Sequence, residues 1–120
     1  MAGQEFPRTL RIRRRADFER VFGWRCAAGD DRLIVFGCPN ELPHPRLGLS
    51  VSRRMGKAVV RNRWKRVIRE AFRLSRVRLP PGLDLVVVPK AGAEPRLAEV
   101  MESLCRLSRR LARRLEANRR

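Results

Sequence analysis

Between Arg46 and Val77 the hydrophobic period of the chain changes from two to about 3.6, and few architectures accommodate that change in so short a span. Over Arg46-Leu47-Gly48-Leu49-Ser50-Val51-Ser52, the residues Leu47, Leu49 and Val51 point one way and Gly48, Ser50 and Ser52 the other. One face packs a core; the opposite face is almost bare of side chains, as a surface approached closely by a ligand is. From Lys57 to Val77, Val60, Trp64, Val67, Ile68, Ala71 and Leu74 fall in one stripe of a helix. A half-buried strand running into an amphipathic helix calls for a sheet with helices packed on it.

The flanking sequence supplies the other layers. A strand is expected over Arg32–Cys38, apolar through Leu33-Ile34-Val35-Phe36, before a loop with prolines at 39, 43 and 45. Pro80-Pro81-Gly82 stops the long helix, and Leu83-Asp84-Leu85-Val86-Val87-Val88 reads as a mostly buried strand. Ahead of these, Ala16–Phe22 is a short amphipathic stretch with Phe18 and Phe22 on one face, followed by a turn-prone segment between Gly23 and Gly29. The last helix is expected over 94–117, with Pro95 in its first turn and Leu97, Val100, Met101, Leu104, Leu107, Leu111 and Leu115 on its apolar face. Residues 1–13 form a basic N-terminal arm, overlapping a basic stretch over 7–15. The order helix, strands, helix, strand, helix is that of an α+β fold, and 120 residues suit one domain spanning 1–120.

Charge narrows the partner. Twenty-nine Lys and Arg against twelve Asp and Glu leave a formal charge of +17, a self-repulsion that a polyanion would relieve. Nucleic acid is the commonest such partner and an anionic membrane the second. The longest apolar run, Leu85–Val88, is too short to span a bilayer, and the N-terminus does not read as a secretory signal. Three cysteines, Cys26, Cys38 and Cys105, fit reduced thiols in the cytoplasm better than a disulfide framework.

On the helix over 57–77, Asn62, Lys65, Arg66, Arg69, Arg73 and Arg76 lie opposite the apolar stripe, with Arg61 and Arg63 on its flanks. Glu70 is the only acid in that span. A merely solvated face would mix signs to gain i,i+4 pairs. Arginine also grips phosphate bidentately and stacks on bases. Catalytic candidates are poor by comparison. His44 is a lone loop histidine, Asp30-Asp31 suits a turn, and Cys26, Cys38 and His44 match no compact zinc knuckle. Neither a catalytic residue nor a metal ligand is assigned. At this point an RNA-processing subunit, a translation-associated RNA-binding protein and a DNA-binding helix module all stand, although Ser50–Lys57 offers a strand end and turn where a helix-turn-helix needs two adjacent helices.

Gly48-Leu49-Ser50-Val51-Ser52-Arg53-Arg54 followed by Gly56-Lys57-Ala58-Val59-Val60-Arg61-Asn62-Arg63-Trp64-Lys65-Arg66-Val67-Ile68-Arg69-Glu70-Ala71-Phe72-Arg73 resembles the signature block of the bacterial ribonuclease P protein subunit. The likeness extends to Asp17–Phe22 and Leu85–Lys90. It implies a small mixed sheet packed with helices in the order αβββαβα, with a left-handed crossover around the arginine-rich helix. It also implies a subunit that assists a catalytic RNA in Mg²⁺-dependent removal of the 5′ leader of precursor tRNA, with no DNA or membrane partner. The protein side chains hold no cofactor in that scheme, and the RNA subunit uses the Mg²⁺. The catalytic RNA would meet Arg53, Arg54, Lys57, Arg61, Asn62, Arg63, Lys65, Arg66, Arg69 and Arg73. The leader would lie in a cleft floored by Gly48, Ser50 and Ser52 and walled by Phe18, Phe22 and Phe36, the last in a strand that lacks the tyrosine often found there.

Overall fold

A computed structural model describes residues 7–118, so the first six residues of the basic arm lie outside the described residues. Its strands are β1 (Ala27–Gly29), β2 (Leu33–Pro39), β3 (Arg46–Leu49) and β4 (Leu83–Pro89); its helices are α1 (Arg15–Gly23), α2 (Ala58–Ser75) and α3 (Leu97–Asn118). The chain order is therefore αβββαβα, as the resemblance implied. The strands form one sheet in the order β1-β2-β4-β3. β4 is central, with Leu83, Asp84, Leu85, Val86 and Val87 buried across its two faces; it pairs antiparallel with β2 and parallel with β3. A parallel pair cannot be closed by a hairpin, and α2 makes the crossover.

The period-two alternation sorts the sheet into two unequal cores. Leu33, Val35, Leu47, Leu85 and Val87 face α2 and α3, where Trp64, Ile68, Phe72, Leu104, Leu107 and Leu111 complete the main cluster. Val86 and Cys38 face the other way and meet Val21 of α1 and Ile12, with Phe18, Phe36 and Val88 partly buried around them. The β3 edge is covered by the basic arm: Arg11 bridges to Leu47 in parallel, and the Ile12 N–H donates to the Leu47 carbonyl at 2.8 Å.

Four sequence expectations are corrected. β1 lies in the segment read only as turn-prone; Ala27, Ala28 and Gly29 have no periodicity, and pairing with Phe36, Val35 and Ile34 makes them a strand. β3 ends at Leu49, and of the following residues Ser50 still donates its N–H to the Val87 carbonyl at 3.1 Å. On α2 the buried arc takes in Phe72 and Ser75, while Val60 and Leu74 are exposed, because α2 packs along α3 more than on the sheet. α3 opens at Leu97, two residues beyond Pro95, with the Arg96 carbonyl accepting the first helical bond from Val100 at 2.9 Å.

Candidate nucleic-acid interface

The outer arc of α2 does not stand alone in solvent. Asn62, Lys65, Arg66, Arg69, Glu70 and Arg73 form one wall of a groove of about 760 Å³, and Arg11 of the arm joins them. Among the described residues, five cations and one acid thus converge on one concave surface. Successive α2 positions three and four apart stack along the helix at about 5–6 Å, a spacing that matches neighbouring phosphates. Partial burial first, and then the like charge of Arg11, lower the pKa of Arg69 from the ordinary arginine value. Arg69 therefore sits beside a like charge without an ion-pair partner among the described residues. Arg73 is the exception: it is held bidentately by Glu70 at 2.8 Å through both Nε and a terminal nitrogen, so its charge is half spent inside the protein.

The remaining ridge residues surround this groove without lining it. Arg53 and Arg54 are exposed on a 3₁₀ turn, Lys57 immediately precedes α2, and Arg63 is exposed on its flank. Arg61 turns back to donate to the Gly56 carbonyl at 3.3 Å. Gly56 has φ +130°, a conformation glycine alone adopts comfortably, and it aims the chain from the turn into α2.

On the other face of the sheet lie Phe18, Phe22 and Phe36. Phe22 and Phe36 meet edge-to-face with centroids 4.9 Å apart, so Phe36 does stand beside α1. Gly48 is buried beneath Phe18; a Cβ added there would lie 3.0 Å from two carbons of that ring and 3.2 Å from the Ile12 side chain. Gly48 is thus a seat for Phe18, not open floor. Ser50 is half-buried on the strand exit, and Ser52 is exposed at the start of the turn, off the sheet. A smaller cavity of about 190 Å³ opens between Phe18, Ile12, Leu49, Arg11 and Arg69. Arg11 and Arg69 therefore border both the cationic groove and the aromatic side.

Two features escaped sequence reasoning. The alternation Leu10-Arg11-Ile12, with both apolar residues buried, was the signal that could have placed Arg11 at the site. The other is Asp84, fully buried on the α1 face of β4. Its carboxylate accepts from Arg46 at 2.8 and 2.6 Å, from Asn40 at 3.0 Å and from Arg20 of α1. Burial alone would raise the Asp84 pKa; the hydrogen bonds of Arg46 and Asn40 and the charges of Arg46 and Arg20 outweigh it and lower the pKa. Arg20 also donates to the Pro39 carbonyl at 2.9 Å, so the network ties α1 to the sheet. Beside it, burial pushes the Cys38 thiol up to about 11, which leaves it a packing group rather than a nucleophile.

A sequence profile of the family Ribonuclease P matches residues 6–113 of the chain. The chain belongs to that family. Among ribonuclease P relatives, the protein component of Desulfovibrio desulfuricans is 45% identical over 114 residues, 91% of this chain and 88% of its own length. That of Klebsiella pneumoniae is 42% identical over 113 residues, 90% of this chain and 94% of its own. The RNase P protein of Thermotoga maritima shares the fold at a TM-score of 0.75 and 33% identity, over 83% of this chain and 96% of that one. For the Staphylococcus aureus RNase P protein the TM-score is 0.72 at 32% identity, over 86% and 94%. As a ribonuclease P protein the chain is a subunit of a tRNA-processing ribonucleoprotein, and RNA is the polyanion that its charge calls for.

Proposed function

We propose that this subunit docks on the catalytic RNA through the groove of Arg11, Asn62, Lys65, Arg66 and Arg69, with Arg53, Arg54, Lys57, Arg61, Arg63 and Arg73 around it. The aromatic side of the sheet, Phe18, Phe22 and Phe36, then holds the single-stranded 5′ leader of precursor tRNA. The observation that carries the docking reading is the groove itself: among the described residues, five cations stand around about 760 Å³ with a single acid, which pairs with Arg73. Aromatic rings suit a leader of varying sequence because every base has a π-face. Gly48 supports this surface by letting Phe18 sit on β3, and Ser50 lies at its margin.

Cleavage in this reading belongs to the RNA and its Mg²⁺, in the cytoplasm. Among the described residues no group of three or more His, Cys, Asp or Glu side chains is placed to hold a metal ion. No described helix is long and apolar enough to cross a membrane. Cleavage assays with the protein, the catalytic RNA and both together test the division of labour. The protein alone should leave precursor tRNA intact, and adding it to the RNA should restore cleavage at low Mg²⁺. Metal-dependent cleavage by stringently purified protein would overturn the reading.

A further inference from the structure

We propose that Trp24, with Arg25 and Arg114, forms a stacking site for one more nucleotide of single-stranded RNA, beyond the Phe22–Phe36 pair. The inference rests on the leader reading above and adds a position to it. Trp24 caps the C-terminus of α1 and is 52% exposed, whereas the other tryptophan, Trp64, is 1% exposed in the main core. An indole left half in water offers an open aromatic face for stacking. The next residue is strained: Arg25 has φ +54°, a left-handed conformation that non-glycine residues seldom keep without a local purpose.

Both residues face one cavity of about 340 Å³, closed on the far side by Arg114 and Leu115 of α3. That lies at the small end of ligand-pocket sizes, roughly 300–1,000 Å³. The Arg114 guanidinium is anchored by a bond to the Ala27 carbonyl, and among the described residues no acid lines the cavity. An aromatic plane with two arginines and no carboxylate recognises a flat π-system attached to an anion, which is a nucleotide with its base unpaired. A base inside a duplex has no free face to offer.

The site also continues the expected path of the leader. Ala27 lines the cavity and is the strand partner of Phe36, while Trp24 follows Phe22 by two residues. A strand of RNA leaving the Phe22–Phe36 pair towards the β1 edge arrives at Trp24.

Holoenzyme reconstituted from the full chain and catalytic RNA, titrated with precursor tRNAs carrying a stub leader or a long one, tests this. The chain has two tryptophans and no tyrosine, and Trp64 is buried, so emission changes on adding substrate report Trp24. The long leader should quench it and the stub should not. Trp24→Ala should weaken binding of the long-leader substrate about 5- to 100-fold and leave the stub unchanged, with Trp24→Phe restoring most of the affinity. Quenching completed by the catalytic RNA alone, quenching only by an acidic peptide, or equal losses for both leaders would overturn the site. If wild-type affinity ignores leader length, the leader reading itself fails and this site with it. If wild-type affinity grows with leader length and Trp24→Ala keeps that growth intact, only the Trp24 site fails.

Discussion

At Gly48 the two nearest neighbours of an added methyl are the far edge of the Phe18 ring and the Ile12 side chain, at 3.0 and 3.2 Å. The ring can swing outward, so Gly48→Ala should cost only about 1 kcal/mol of stability, the low end of overpacking. Its effect on RNA should be larger than its effect on folding, because the ring leaves its seat. Affinity for leader-bearing precursor is expected to fall towards that of Phe18→Ala, with mature tRNA bound as before. Urea unfolding and competition binding with the two RNAs measure the two halves of this expectation. Unchanged leader affinity in both variants would remove Phe18 from the leader surface.

Within α2, cations of similar sequence character differ in what they have left to give. Arg73 is already paired with Glu70, whereas Arg69 has no ion-pair partner among the described residues and feels burial and the like charge of Arg11. Arg69→Ala should therefore weaken catalytic-RNA binding and reduce the slope of log affinity against log salt by about one. Arg73→Ala should do less, and Glu70→Gln should strengthen binding by freeing Arg73. Filter binding across a salt series separates the three; equal slopes for Arg69→Ala and Arg73→Ala would contradict this ranking. The cationic ridge was legible from the sequence because charge phase on a helix is a local property. Which arc is buried was legible only in part. Phe72 and Ser75 go inward because α3 lies there, and nothing local to residues 57–77 announces α3. β1 was invisible for the same reason: three small residues become a strand only through β2. Gly48 was recognised as bare, but its tenant comes from α1, thirty residues earlier.

For the molecule as a whole, Asp84 is the knot between α1, the 39–45 loop, β3 and β4. Removing its charge leaves two guanidiniums facing a neutral amide, a loss on the order of 3 kcal/mol, at the low end for buried pairs because both arginines keep contact with water. The folded pKa lies below the usual value of 3.8, so this stabilisation is fully present above that pH and is lost as pH falls through the depressed value. Wild-type unfolding free energy should therefore decline below about pH 4, and Asp84→Asn should be weaker at neutral pH with a shallower acid decline. Some acid slope should remain in the variant. Hydrogen bonds from Ser103, Leu33 and Arg32 and the charge of Arg106 overcome burial to lower the Asp30 pKa as well.

The shared border of Arg11 and Arg69 carries a consequence of another kind. Two anionic chains laid along the same pair of guanidiniums must divide one field between them. Occupancy on one side then alters affinity on the other by a coupling energy that is equal in both directions. The protein need not change shape to pass this message. On the docking and leader assignment proposed above, the protein would act as a conductor between two nucleic acids, with Arg11 held in place by the bridge to β3.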